Sequence, residues 1–226
     1  MFNLQITAGV KASVENPNFR CLVDADSDGP IKLTISDNIG FGFEDGVTAD
    51  SVRSMLATNR DRDIELRVSS NGGYVFEAVS IANQLREHRG KVSAVVESLA
   101  FSAATIVLLG ADETSIYDNA TYGIHRSAGV AVGNAKTMRA VAEWLDLIDS
   151  QLADGYAKKT GTDIDQVNSW MDGTDDGTVW SGADAVNLGF IDNLISTSSD
   201  TTNKASNSLA MMHNRIKMAK LKTLNS

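Results

Sequence analysis

The chain has 226 residues, a formal net charge of −9 and 42% hydrophobic residues, which suits one domain with a full buried core. The acidic balance disfavours nucleic acid as a general partner. Cys21 is the only cysteine and the chain has 3 histidines, so we expect no internal disulfide, no metal site and no cofactor. Apolar runs fall short of the ~20 residues that span a membrane, and the first residues lack a signal-peptide pattern, so we expect a soluble, cytoplasmic protein.

Strand and helix patterns alternate along the chain and predict an α/β fold with crossover connections. The predicted strands lie at 64–68, 92–96, 114–117 and 121–124, and the predicted helices at 75–87, 102–110 and 134–160. Residues 1–34 carry strand-like alternation and are predicted to form an N-terminal arm. Residues 196–226 are predicted to form a Ser/Thr linker and a basic tail, which is either frayed or a docking or cleavable segment.

Ser102 lies between small residues, after a strand pattern and before an apolar helical run. This is the local pattern of a nucleophile at a helix N-terminus, where unpaired N–H groups and the helix dipole favour negative charge on an attacked carbonyl. A serine followed by two alanines can also be a simple helix cap.

Paired glycines, Gly72 and Gly73, follow the strand predicted at 64–68 and precede a helix pattern. Glycine adopts positive φ at low cost, so its N–H group can be aimed at an oxyanion. By itself, a glycine pair between a strand and a helix is usually an ordinary tight turn.

His125 directly follows the strand predicted at 121–124 and is the histidine whose position in the pattern suits a catalytic base. An imidazole has an unperturbed pKa of about 6.5 and can therefore accept a serine proton near neutrality and return it to a leaving amine. We predict that His88, at a polar helix end, and His213, in the tail, are solvated.

These blocks, together with the closing block 176–192, resemble in their order the Clp protease proteolytic subunit family, and more closely its bacteriophage prohead or head-maturation proteases. The resemblance runs from about Ile35 to about Ile195. It implies a Clp protease/crotonase-like fold of ββα repeats over 35–195, in which the helix at 134–160 packs subunits into a homo-oligomeric ring. It also implies a serine endopeptidase that acts on polypeptides, namely capsid or scaffold proteins, in the host cytoplasm or the assembling virion. From charge and hydropathy we expect no nucleic-acid or membrane partner.

The resemblance also implies roles for single residues. Ser102 would be the nucleophile and His125 the base, and the backbone N–H groups of Gly73 and Ala103 would form the oxyanion hole. The family takes its acid from the loop before the last short strand and helix. Counting back from Ser181 puts Gly177 at that position, so a one-residue insertion favours Asp176, with Asp172 and Asp175 as alternatives.

The chain departs from the family pattern at several positions, which keeps other functions open. Asn71 replaces the usual proline before the glycine pair, and Ser98 replaces a common glycine. One alternative is a general ATP-dependent Clp-type subunit. Another is a Ser-Lys enzyme resembling signal peptide peptidase A, and a third is an inactive crotonase-like assembly module. The Ser-Lys enzyme would need Lys136, Lys158 or Lys159 as its base.

Overall fold

The computed structural model of the protein describes residues 19–22, 29–40, 46–174 and 176–197. The strand-like pattern before residue 19, Asp175 and the basic tail after 197 lie outside the described residues. The chain divides into two units, Met1–Ile195 and Ser196–Ser226, and the candidate site lies in the first.

Within the described ranges, eight strands form one sheet in the order β1-β2-β3-β4-β5-β8, with β6 beside β4 and β7 beside β6. Pairing is parallel except between β1 and β2 and between β6 and β7. The predicted α/β class with crossover connections is confirmed. The strands are β1 (Phe19–Leu22), β2 (Ile31–Ile39), β3 (Ile64–Gly73), β4 (Val92–Phe101), β5 (Glu113–Tyr117), β6 (Thr121–Ile124), β7 (Thr178–Ser181) and β8 (Asn193–Ile195).

The helices predicted at 75–87, 102–110 and 134–160 are found close to those bounds. Helices connect the parallel strands of the described residues, and one of them was not indicated by any sequence pattern. They are α1 (Ala49–Thr58), α2 (Val75–Arg86), α3 (Ala103–Leu108), α4 (Ala135–Thr160), α5 (Ile164–Asp172) and α6 (Gly182–Asn187). The unpredicted helix is α5, which is only 9 residues long, begins at the cap Asp163 and buries Val167 and Met171. Its apolar stripe is too short to give a clear helical period.

Strands β3 and β4 extend farther than their apolar patterns predicted. The polar end of β3 continues to pair with β2, so that Asn38 lies opposite Gly72 and Ile39 opposite Gly73. The glycine pair therefore ends a strand instead of forming a separate turn. Strand β2 itself crosses residue 34, the boundary predicted between the arm and the main domain.

One face of the sheet forms the core. Residues alternate between buried and partly exposed along β3 and β4, and the buried set packs against helices. Each fully buried aliphatic side chain contributes roughly 1.5–3 kcal/mol relative to exposure. This burial makes the sheet rigid enough to hold side chains at its edge. The buried aliphatic residues of the two strands are Ile64, Leu66, Val68, Val92, Ala94 and Val96.

Helix α4 is buried only in its C-terminal half. Its first half projects apolar side chains into solvent, among them Met138, Trp144 and Leu147. Phe76 of α2 stacks on Trp144 with ring centroids 5.4 Å apart. Among the described residues, no helix combines the length and apolar composition that a membrane span requires.

The C-terminal end of α4 is tied to the sheet through Asp192. Lys159 Nζ lies 2.9 Å from both carboxylate oxygens of Asp192, and the N–H and hydroxyl of Thr114 donate to one of them at 2.9 and 2.7 Å. Burial by itself would raise the pKa of Asp192, but the hydrogen bonds from Lys159 and Thr114 outweigh it and hold the pKa below its usual value.

We expect Asp192→Asn to lower the free energy of unfolding at pH 7 by about 2 kcal/mol, the scale of a hydrogen bond to a charged group. Because the folded-state pKa lies below the unfolded one, this stabilisation is complete above about pH 4–5 and is lost as pH falls through the folded-state value. Urea unfolding at pH 7 and pH 3 tests this, and the two proteins should differ less at pH 3. Asp61→Asn, which removes an exposed partner of Arg89, is the control. An equal loss at both pH values would contradict the prediction.

Candidate active site

The site forms where the carboxyl ends of β3, β4 and β6 meet. Ser70 lies opposite Ala100, and Phe101 lies opposite Gly123, so the residues that follow these strands emerge at one edge. The carboxyl ends of parallel strands are a common place for ligands in open α/β sheets. The topology thus brings Gly73, Ser102 and His125 together.

Ser102 has an unusual backbone conformation. Its φ is 56° and its ψ is −129°, and it is the one non-glycine residue with positive φ among those described. Its N–H donates to the Gly123 carbonyl at 3.0 Å, and its side chain makes no capping hydrogen bond to α3. Such conformations cost about 1–3 kcal/mol and cluster at functional sites. The hydroxyl therefore does not act as the helix cap that the sequence also allowed.

His125 faces the Ser102 hydroxyl directly. Its Nε2 lies 2.7 Å from Ser102 Oγ, and its ring stacks on Phe101 with centroids 5.1 Å apart and planes 15° apart. The His125 side chain is only 17% exposed. A neutral imidazole with a free Nε2 lone pair at this distance can take the serine proton as the oxygen attacks.

The candidate acid is the part of the arrangement that contacts the imidazole least closely. Asp176 Oδ1 lies 3.8 Å from His125 Nδ1, beyond hydrogen-bond distance, and its side chain is 83% exposed. No described atom hydrogen-bonds to the buried Nδ1. Asp172 pairs instead with Arg126, and Asp175 lies outside the described residues. Of the three candidate carboxylates, Asp176 is therefore the one seen beside the imidazole.

Gly177 stands where the family resemblance would place the acid, and the structure has no room for a side chain there. Antiparallel pairing of β6 with β7 sets Ile124 opposite Thr178 and presses Gly177 against His125. Gly177 has φ +88°, and a Cβ there would lie 2.3 Å from the Ile124 carbonyl oxygen and 2.5 Å from His125 Cβ. A side chain at position 177 would therefore collide with the backbone and side chain that carry the imidazole.

The glycine pair that contains the predicted oxyanion donor Gly73 runs beside Ser102. A Cβ at Gly72, which has φ +96°, would lie 2.7 Å from both the Ala103 nitrogen and Ser102 Cβ. The glycine pair therefore passes directly over the start of α3. Gly72 N–H donates to Ser70 Oγ at 3.0 Å. Ala103 is the first residue of α3, where N–H groups have no partner inside the helix.

Two residues near His125 were not identified from the sequence. Asp149 of α4 is only 4% exposed and accepts a hydrogen bond from the Ser127 N–H at 2.7 Å. Arg126 pairs with both Asp172 and Asp149. The segment after His125 is therefore anchored to α4 and α5. The available signal was Asp149 itself, a carboxylate within the apolar stripe of Ile148 and Leu152.

Two of the three lysines that a Ser-Lys enzyme could use as its base are paired with carboxylates. Lys158 pairs with Asp154, Lys159 pairs with Asp192, and Lys136 lies exposed in the first turn of α4. In the part of the chain that the structure describes, no group of three or more His, Cys, Asp or Glu side chains is placed to hold a metal ion.

We expect Asp176→Asn to lower kcat/KM by no more than about fivefold, the scale of an exposed ion pair. The pair is too long and too exposed to contribute more. Steady-state kinetics of Asp176→Asn and Asp172→Asn, measured side by side, test the register of this loop. A loss in Asp176→Asn far beyond fivefold would contradict this prediction. A collapse of activity in Asp172→Asn would show that Asp172, and not Asp176, supports His125.

A family model described as Clp protease matches residues 34–198. The matched span contains each residue of the candidate site, from the glycine pair to the loop before β7. A search of curated protein sequences found no match to the chain.

Proposed function

Because the chain belongs to the Clp protease family, we propose that it is a serine-type endopeptidase with Ser102 as nucleophile and His125 as general base. One observation carries this proposal. The 2.7 Å contact between Ser102 Oγ and His125 Nε2 occurs at a strained residue that starts a helix. That combination is needed for acyl transfer and is of no use to a passive assembly module.

In the proposed reaction, Ser102 Oγ bonds to the scissile carbonyl carbon while its proton passes to His125 Nε2. The carbonyl oxygen becomes an oxyanion, which the N–H groups of Gly73 and Ala103 stabilise by about 3 kcal/mol each. His125 then gives its proton to the leaving amine as the peptide bond breaks. Water, deprotonated by the same imidazole, hydrolyses the acyl-enzyme and restores Ser102.

Clp proteases act on polypeptides and form oligomeric rings. We propose that this chain forms a homo-oligomeric ring, with the first half of α4 in a subunit contact. Support comes from the exposed side chains of Met138, Trp144 and Leu147, since exposed apolar patches mark interaction sites.

We further propose that the substrates are capsid or scaffold polypeptides of a phage, processed in the host cytoplasm or the assembling virion. The motif resemblance to head-maturation proteases supports this. The departures at Asn71 and Ser98 argue against the nearest alternative, a general subunit that an ATPase supplies with substrate.

The purified protein should cut an unstructured polypeptide such as casein at internal bonds without ATP, as read by mass spectrometry of the products. Co-expression with the products of the neighbouring genes should give defined cleavage products that Ser102→Ala does not give. Removal of single terminal residues only, or a strict need for an ATPase, would contradict the proposal.

A further inference from the structure

A buried hydrogen-bonded chain lies behind the nucleophile. Thr105 donates twice to the Ser102 carbonyl oxygen, from its hydroxyl at 2.6 Å and from its N–H at 3.0 Å. The Thr105 hydroxyl also lies 2.6 Å from the Tyr156 hydroxyl of α4. The side chains of Thr105 and Tyr156 are both buried, and neither takes part in the proposed reaction.

The direction of these hydrogen bonds follows from counting protons. Thr105 has one hydroxyl proton, and the Ser102 carbonyl can only accept, so Thr105 donates to it. Tyr156 must therefore donate to Thr105. Burial raises the pKa of Tyr156 to about 12, so the phenol keeps this proton across the working pH range. Tyr122 faces the same hydroxyl: burial raises its pKa, and Thr105 partly offsets that rise.

The carbonyl that Thr105 holds is mechanically linked to the oxyanion hole. The Ser102 C=O and the Ala103 N–H belong to one planar trans peptide unit, so they point in opposite directions. Anchoring the carbonyl toward the core therefore turns the N–H toward the site. The backbone of Ser102 is strained, and without this anchor the Ser102–Ala103 peptide could rotate to relieve the strain.

We propose that Thr105, held in its rotamer by Tyr156, is a positioning residue that fixes the Ser102–Ala103 peptide with the Ala103 N–H facing the oxyanion. This inference rests on the proposed peptidase function. Thr105 touches no reacting atom and acts through the peptide that it anchors.

Thr105→Val keeps the shape of the side chain and removes only the hydroxyl. We expect kcat to fall by about tenfold, less than the roughly hundredfold or greater loss on removing an oxyanion donor outright, because the Thr105 backbone N–H bond remains. KM for the same peptide should change by less than about twofold, since the oxyanion forms only after binding. Thr105→Ser should retain near-normal kcat.

The closing experiment measures kcat, KM and the inhibition constant of a peptide boronate built on a cleaved sequence. The tetrahedral boronate adduct places an oxygen in the oxyanion hole, so its inhibition constant should rise in parallel with the fall in kcat. The matched control is Thr114→Val, an equally buried threonine that hydrogen-bonds to Asp192 instead. It should lose stability but keep kcat and boronate affinity.

A double variant separates positioning from stability. Thr105→Val alone takes a hydrogen-bond partner from the buried hydroxyls of Tyr156 and Tyr122. Adding Tyr156→Phe removes one of these two hydroxyls and should recover part of the lost stability. We expect the double variant to unfold at a higher temperature than Thr105→Val and to remain about tenfold slow in kcat. Recovery of kcat with stability, or a Thr105→Val that behaves like Thr114→Val, would overturn the inference. A wild-type protein that neither cleaves nor binds the boronate would instead overturn the proposed function.

Discussion

Ser102→Ala should abolish peptide hydrolysis, lowering kcat by about 10⁶-fold, the scale expected when a serine nucleophile is removed. The loss arises because no other hydroxyl lies at His125 Nε2 among the described contacts. Stability should hardly change, since Ser102 Oγ caps no helix N–H and alanine meets the same backbone strain as serine. Peptidase assays together with thermal unfolding measure both quantities.

Ser98→Ala is the matched control for this substitution. It removes the same atom four residues earlier, from an exposed serine on β4 whose hydroxyl contacts Ser69. Its kcat should be unchanged. More than a trace of activity in a clean preparation of Ser102→Ala would remove Ser102 from its proposed role.

His125→Ala should be nearly as severe, because Ser102 has no other base within reach in the described part of the site. Members of a catalytic unit fail together, so the double variant Ser102→Ala/His125→Ala should be no slower than Ser102→Ala. The same peptidase assay measures all three proteins.

His88→Ala serves as the control, because His88 Nε2 hydrogen-bonds to the Arg62 carbonyl and not to a residue of the candidate site. Its activity should remain normal. If His125→Ala stayed active while Lys159→Ala lost activity without unfolding, a Ser-Lys mechanism would replace the one proposed here.

Most of the fold could be predicted from local patterns. The alternation along β3 and β4 and the helical period of α4 are strong because each element buries a single face. The extension of β3 to Gly73 could not be predicted, because polar residues and glycines enter a strand only when a neighbour, here β2, accepts their hydrogen bonds. Helix α5 was missed because a 9-residue segment shows too little period.

Some residues of the site could likewise be predicted from local patterns, and others could not. Ser102 and His125 stood out because each lies at the end of a predicted element, and the structure sets them 2.7 Å apart. The link from Thr105 to Tyr156 spans 51 residues, so no local pattern could reveal it. The position of Asp176 depends on how Gly177 packs against the imidazole, which only tertiary structure decides.

The proposed mechanism depends on a Ser102 hydroxyl that is activated by His125, and covalent labelling tests this most directly. The protein would be treated with a fluorophosphonate, and the adduct located by peptide mapping with mass spectrometry. We predict one adduct per chain, on Ser102, absent from Ser102→Ala and formed far more slowly in His125→Ala. A wild-type chain that remains unlabelled, or an adduct on another residue, would contradict the account.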